Sequence, residues 1–593
     1  MTKKDLQPKL VLATLTAKYI HSSLALRYLR EACRHLPINI KTQEYHINMP
    51  PLDILSGIYE EKPDILGFSC YIWNITQTLE LATMIKQIWP NCQIILGGPE
   101  VSYDADSLLA AQGDIDFIIS GEGEESFPQL LTYLTEGSGS LRRIPGLTYR
   151  LPDGTIASNP PESIKDLSQV PSAYSEEGLK NLENKLVYLE TSRGCPFSCR
   201  YCLSSRSRGV RYFPLNRVKQ EIRALVENKC SQIKFVDRTF NCHKERAMEL
   251  WRFMRDLPGD SIFHFEIDAE LLDDDMLQLL ATVPAGKFQF EIGVQTTTED
   301  SLAVISRRQD WNKLAETVST LTNRGNIETH LDLIAGLPQD TLPEFGQALD
   351  RVFSLKPTRI QLGFLKVLKG SGLWYDSQEL GLVYQGQPPY EILTTPTMSY
   401  DDLRYLKQVE LLVESYYNTH RFDLTLDLVV THLYDGSFMA FLEDFAKYWL
   451  DRGLFSVAHK QYNLYRFLAE FFRERHRKDA WTLEAMLYDY AAKEPRRDLP
   501  VLGSKPRDLK LRNRDTYHRL IGDPRWQEKF IPALKGLPNR QIDRHLRIVQ
   551  IRLDKTGPEA ILGEGPWYLF DYDQQDPITG RAAVTAISGF SVD

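Results

Sequence analysis

The sequence predicts an α/β protein: an N-terminal doubly wound, Rossmann-like domain, a second array of βα units, and a mainly helical C-terminal region. Strand-length apolar runs alternate with helix-periodic stretches from residue 9 to about residue 140, the rhythm of a parallel sheet with helices on both faces. The alternation restarts at Lys185 and gives six further βα units before residue 395. From Tyr400 the pattern is helical and aromatic. At 593 residues the chain exceeds what one core organises, so two to four domains are expected. The expected division is 1–140, a linker at 141–184, 185–395 and 396–593.

Residues 9–17 are an apolar run suited to a buried parallel strand. Leu24, Leu26, Tyr28, Leu29 and Ala32 recur at helical spacing within 22–35. Strands at 38–45, 65–70, 93–96 and 116–119 follow, with a helix leading to Pro63 and another over 76–89. The Pro-rich stretch 140–185 reads as a linker with one small hairpin around Asp153-Gly154. Residues 185–191 form a strand that feeds a cysteine loop, and further strands are expected at 232–236, 262–267, 287–294, 328–334 and 359–364. Helices over 218–228 and 314–324 separate some of these strands. Residues 567–572 and 582–587 form a closing β-hairpin.

Hydrophobic content of 42% and charged content of 25% are those of an ordinary globular protein. The apolar runs are too short and interrupted for a membrane span, and the N-terminus lacks a signal-peptide core. A cytoplasmic protein is therefore expected. The net charge of −9 disfavours a general nucleic-acid binder, although residues 493–555 hold 17 Lys/Arg against 8 Asp/Glu. That window is either a phosphate-binding face or a solvated basic surface. Of eight cysteines, Cys33, Cys70, Cys92, Cys230 and Cys242 are scattered, as suits reduced thiols.

The other three make the densest chemical signal, Arg193-Gly194-Cys195-Pro196-Phe197-Ser198-Cys199-Arg200-Tyr201-Cys202, with spacing CxxxCxxC. Thiolates hold iron–sulfur clusters, and a four-iron cluster normally takes four of them. Three on one loop leave one iron open to a small molecule. Zinc is the rival occupant, but it needs a fourth ligand close by. No His or second CxxC follows within forty residues.

The loop resembles the signature of the radical SAM superfamily, in which S-adenosylmethionine chelates the open iron of a 4Fe-4S cluster. The resemblance implies a partial (β/α)6 TIM-type barrel for 185–395, with its site at the C-terminal strand ends. Four loops at 19–23, 69–74, 97–100 and 121–124, rich in small or polar residues, follow successive strands just before the motif. Together they resemble the cobalamin-binding domain of one branch of that superfamily. The Asp-x-His-x-x-Gly motif, whose histidine ligates cobalt in other enzymes, is absent from the sequence, as is usual in this branch. The resemblance assigns His21, Ser22, Ser69, Tyr71, Trp73, Asn74, Gly97, Gly98, Pro99 and Glu122 to cobalamin. It assigns Cys195, Cys199 and Cys202 to the cluster, and Tyr201, Phe235, Asp237, Glu291, Gln295, Arg307 and Asp332 to S-adenosylmethionine. A structural ion pair remains an alternative for Asp332, and core packing for Trp73. The C-terminal region resembles an uncharacterised extension found on some members.

The implied activity is a cobalamin-dependent radical SAM methyltransferase acting on an unactivated carbon, fed by an external flavodoxin- or ferredoxin-type electron donor. A rearrangement or cyclisation without methyl transfer is one alternative. A tRNA acceptor, using the basic window with Tyr517, Trp526 and Phe530, is another. A sensor without turnover is the non-enzymatic one.

Overall fold

A computed structural model describes residues 7–183, 185–206, 209–476, 481–495, 518–553 and 565–587. The first sheet has seven strands, β1 (Lys9–Thr16), β2 (Asn39–His46), β3 (Ile65–Ser69), β4 (Gln93–Gly97), β5 (Phe117–Ile119), β6 (Leu147–Arg150) and β7 (Ile156–Ser158), in the order β2-β1-β3-β4-β5-β6-β7. The first five are parallel. Helices α1 (Leu24–Ala32), α2 (Pro51–Glu61), α3 (Ile75–Ile88), α4 (Ala105–Ala111) and α5 (Gly123–Glu136) cover it. Strand alternation divides β1 between two cores. Leu10 and Leu12 join Leu26 and Phe127 on one face, while Val11, Ala13 and Leu15 join Ile54 and Leu81 on the other. The sheet is therefore doubly wound. Its strand order reverses between β1 and β3, where ligands of such sheets sit.

The hairpin expected inside the linker does more than span it. β6 and β7 pair antiparallel with the edge of the first sheet, Phe117 opposite Tyr149. Leu147 and Tyr149 bury against that sheet's core, which holds the hairpin there.

The second sheet is wholly parallel. It comprises β8 (Leu186–Leu189) and, after the hairpin of β9 (Ser192–Cys195) and β10 (Gly209–Tyr212), β11 (Gln232–Phe235), β12 (Ile262–Ile267), β13 (Phe288–Gln295), β14 (Glu328–Ala335) and β15 (Arg359–Phe364). Its order, β15-β14-β13-β12-β11-β8, follows the chain. One face carries Phe235, Phe263, Phe265, Phe288 and Phe290, all fully buried and in mutual ring contact or packed on Trp251. The alternate positions are polar, including Lys234, His264, Glu266, Gln289, Glu291, His330 and Asp332. Strands of a wholly parallel sheet are ordinarily apolar on both faces, so the polar set marks a site.

Residues 400–493 carry the helices α6 (Tyr400–Leu412), α7 (Asp423–Leu433), α8 (Phe438–Asp451), α9 (Gln461–Arg475) and α10 (Trp481–Lys493). They pack on the second sheet's core through rings such as Phe438, stacked on Phe353 at 4.2 Å. The closing hairpin gains a third strand: Leu546–Gln550 pairs antiparallel with Trp567–Gln575, which pairs with Ala582–Ile587. Cys33, Cys70, Cys92 and Cys230 are fully buried. No helix among the described residues is long and apolar enough to cross a membrane.

Candidate functional site

The first cavity, of about 630 Å³, opens at the carboxyl ends of the first sheet and reaches residues of the second. Its wall includes His21, Ser22, Ser69, Tyr71, Trp73, Gly97, Gly98, Pro99 and Glu122. Gly98 has φ +110, and a Cβ there would stand 2.5 Å from the Cys70 carbonyl oxygen, so only glycine lets β4 end this close to its neighbour. Ser69 Oγ donates to Thr14 Oγ1 at 2.7 Å. Trp73 stacks on Tyr71 at 4.5 Å, and its indole N–H donates to the Leu15 carbonyl at 3.1 Å, leaving the ring 46% exposed. Core packing therefore does not account for Trp73. His21 Nδ1 lies 2.8 Å from the Tyr188 hydroxyl. Ser22 Oγ and backbone N–H both donate to the Leu186 carbonyl, at 3.0 and 3.2 Å, tying the β1–α1 loop to β8.

Asn74 has a different position from the one expected. It is buried, its Nδ2 donates to the Leu15 and Ser69 carbonyls at 3.1 and 3.0 Å, and its Oδ1 accepts from Tyr71 N–H at 2.7 Å. These bonds consume its polar atoms in shaping the β3 loop, and it is not among the cavity's lining residues.

The second cavity, of about 550 Å³, lies at the carboxyl ends of the second sheet and is lined by Cys195, Cys199, Cys202, Tyr201, Glu266, Glu291, Gln295, Arg307 and Asp332. Gly194, with φ +99, sets the entry to the loop, since a Cβ there would meet the Gly209 carbonyl oxygen at 2.2 Å. Arg307 donates to Cys199 Sγ at 3.8 Å and to the Tyr201 hydroxyl at 3.4 Å, and also to the Gly293 carbonyl. The donor set is three thiols on one loop, and thiolates are iron–sulfur ligands, so the residues fit a cluster. Among the described residues no three His, Cys, Asp or Glu side chains converge as a single metal ion would require.

Glu291 is held by Lys234 Nζ at 2.9 Å and His264 Nε2 at 2.8 Å. Burial works against its charge, but the His264 and Lys234 contacts outweigh it and hold the carboxyl at about 2. Asp332 accepts from Gln361 at 2.7 Å, and burial, with Glu291 nearby, pushes its carboxyl well above the ordinary range. Among the described residues Asp332 has no ion pair, so the structural-pair alternative falls away. The cavity thus holds a carboxylate drawn below the ordinary range, Glu291, beside carboxyls that burial pushes above it, Asp332 and Glu266.

The side chains of Phe235 and Asp237, on the strand end expected to meet S-adenosylmethionine through its backbone, lie behind the wall. Phe235 is fully buried and stacked on Phe265 at 4.9 Å, because strand alternation points it away from the Lys234 face. Asp237 is 1% exposed, and its carboxylate accepts from Thr191 N–H, Thr191 Oγ1 and Ser192 Oγ at 2.8, 2.7 and 2.5 Å. It supports the cysteine loop from below.

Residues not expected from sequence also reach the site. Arg238 lines both cavities, and Glu190 and Arg193 line the first. Glu190 is buried against Arg193, and burial pushes its carboxyl to about 7 despite that partner. The Arg-Gly preceding the first cysteine was the available sequence signal for Arg193.

Of the aromatics expected to serve a tRNA face, only Trp526 and Phe530 lie among the described residues. Trp526 is fully buried and packs on Phe530 at 5.3 Å, and Tyr517 lies outside the described residues, as does much of the basic window.

A B12 binding domain model matches residues 10–131, a Radical SAM superfamily model matches 189–352, and a model for a protein of unknown function (DUF4080) matches 378–562. The chain is 26% identical over 331 residues to the 2-(S-pantetheinyl)-carbapenam-3-carboxylate methyltransferase of Streptantibioticus cattleyicolor, covering 50% of this chain and 46% of that one. It is 25% identical to the cobalamin-dependent radical SAM methyltransferase TokK of Streptomyces tokunonensis, covering 50% and 45%. The chain thus spans about half the length of the curated relatives it matches. Among solved structures, TsrM from Kitasatospora setae aligns with TM-score 0.55 and 18% identity over 66% of this chain and 81% of that one. OxsB aligns with TM-score 0.52 and 15% identity over 90% and 81%. The fold is shared with both.

Proposed function

The chain belongs to the cobalamin-binding radical SAM family, and from that premise we propose that it is a cobalamin-dependent radical SAM methyltransferase acting on an unactivated carbon. The observation that carries this is the shared wall: Arg238 borders both the strand-end cavity of the first sheet and the three-cysteine cavity of the second. A 4Fe-4S cluster on the thiols would supply the electron that cleaves S-adenosylmethionine to a 5′-deoxyadenosyl radical, and cobalamin in the first cavity would supply the methyl group.

The chain's own residues position and shield. Cys195, Cys199 and Cys202 hold the cluster, with the second sheet as a partial (β/α)6 barrel around it. Arg307, anchored on the Gly293 carbonyl and beside Cys199, offers its guanidinium to a carboxylate. Glu291, held by Lys234 and His264, accepts hydroxyl hydrogen bonds, and Asp332, oriented by Gln361, presents a second carboxyl beside it. Tyr71 and Trp73 form a flat apolar wall of the first cavity. The electron comes from an external flavodoxin- or ferredoxin-type donor in the cytoplasm.

Anaerobic reconstitution with methyl-labelled S-adenosylmethionine and a cell extract tests the reading. The expected result is 5′-deoxyadenosine together with a methyl-labelled product, both lost in Cys199→Ala. Undiminished cleavage in Cys199→Ala, or cleavage with no label transferred, would overturn it.

A further inference from the structure

Arg193 and Arg211 face each other directly across the β9–β10 hairpin, whose last residue on β9 is Cys195. Both reach across to the start of α5. Arg193 pairs with Glu124 and stands 3.6 Å from Glu122, while Glu190, between β8 and β9, takes Nε and Nη2 at 2.9 and 2.7 Å. Arg211 grips both oxygens of Glu122, one at 3.0 Å. Glu122 also accepts the Ile164 N–H at 2.9 Å, fixing it from a third side. The Arg193 guanidinium lies over the Tyr28 and Phe213 rings, at 5.4 and 5.6 Å.

These are not loose surface pairs. The side chains of Arg193, Glu124 and Glu190 are 12%, 9% and 12% exposed. Buried ion pairs are costly to assemble, and removing one partner strands the other, so their geometry resists displacement. Gly121, Glu122, Gly123 and Glu124 are also wall residues of the first cavity. One end of the network is thus cavity wall, and the other lies two residues from the first cluster thiol.

We infer that Glu122, Glu124, Arg193 and Arg211 are positioning residues that set the separation of the two cofactor cavities. The inference rests on the reading that cobalamin occupies the first cavity and a cluster the second. Two arginines suit the task, because the planar fork fixes direction as well as distance, which a lysine ammonium does not. An ordinary packing contact would hold the domains together without fixing this spacing.

The test reads the spacing itself. Pulsed EPR on the reconstituted full-length protein measures the distance distribution between cob(II)alamin and the reduced cluster. Glu124→Gln, which removes the ion pair to Arg193, and Arg211→Lys, the milder change that keeps the charge but loses the two-point grip on Glu122, should each broaden that distribution about twofold. The control is Arg581→Gln, which breaks the buried Arg581–Asp489 pair, 14% and 0% exposed, in the C-terminal region. It should lower thermal stability and leave the distribution narrow. Unchanged widths in both network variants, or equal broadening in the control, would overturn the inference. Wild-type protein that takes up no cobalamin or cluster would instead overturn the reading on which it rests.

Discussion

Asp237 holds Thr191 at two points, accepting its backbone N–H at 2.8 Å and its hydroxyl at 2.7 Å. With Ser192 as the third donor, one buried carboxylate fixes the chain just before the cysteine loop begins.

Asp237→Ala should therefore loosen the cluster site without touching a ligand. Three donors lose their acceptor inside the protein, which costs about 3 kcal/mol or more. The expected outcome is a lowered melting temperature and reduced iron and sulfide per chain after reconstitution. Wild-type iron content in a stably folded Asp237→Ala protein would show that the loop holds its shape unaided.

Gly98→Ala should act on the first cavity alone. The added Cβ meets the Cys70 carbonyl at 2.5 Å on a backbone with φ +110, a strain on the order of 1–3 kcal/mol. Cobalamin bound per chain, measured from the visible spectrum after gel filtration, should fall, while iron content stays at the wild-type value. Equal loss of both would mean that the two cavities do not form independently.

Asp340 predicts a pH effect away from the chemistry. It is fully buried, accepts from Thr298 at 2.9 Å, and burial raises its carboxyl to about 6. In the unfolded chain an aspartate titrates near about 4. Between these values the unfolded chain releases its proton while the folded one keeps it, so wild-type stability declines as pH rises from about 4 to about 6 and then levels. Asp340→Asn lacks this loss. Its stability relative to wild type should therefore improve by up to about 3 kcal/mol between pH 4 and 7, read from denaturant unfolding at both pH values. Parallel profiles would refute the titration.

The strands of both parallel sheets were legible in the sequence because most are short apolar or alternating runs between helical periods. The runs at 262–267 and 359–364 match Ile262–Ile267 and Arg359–Phe364. What a run does not tell is which parity faces the cavity. Phe235 and Lys234 are neighbours on one strand, and only the assembled sheet shows that lysine faces the site and phenylalanine the helices. Asn74 and Asp237 fail for a related reason: a polar residue at a strand end serves a ligand or the loop itself, and its hydrogen-bond partners decide between them. The Glu122–Arg211 grip joins residues 89 apart in sequence, beyond any local pattern. Likewise β6 and β7 are too short to declare a sheet partner; the partner is set by the apolar edge that Leu147 and Tyr149 cover.

The burial of the scattered cysteines bears on how the protein can be assayed. Burial pushes the Cys33 and Cys92 thiols to about 12 and Cys230 to about 11, with Cys70 higher still. Thiolates are the species that alkylating reagents capture, so these four stay silent at neutral pH. Cys195, Cys202 and Cys242 are the partly exposed ones. Burial also raises the Cys195 and Cys242 thiols, so peptide mapping after brief alkylation gauges occupancy at Cys202, where label reports chains without iron.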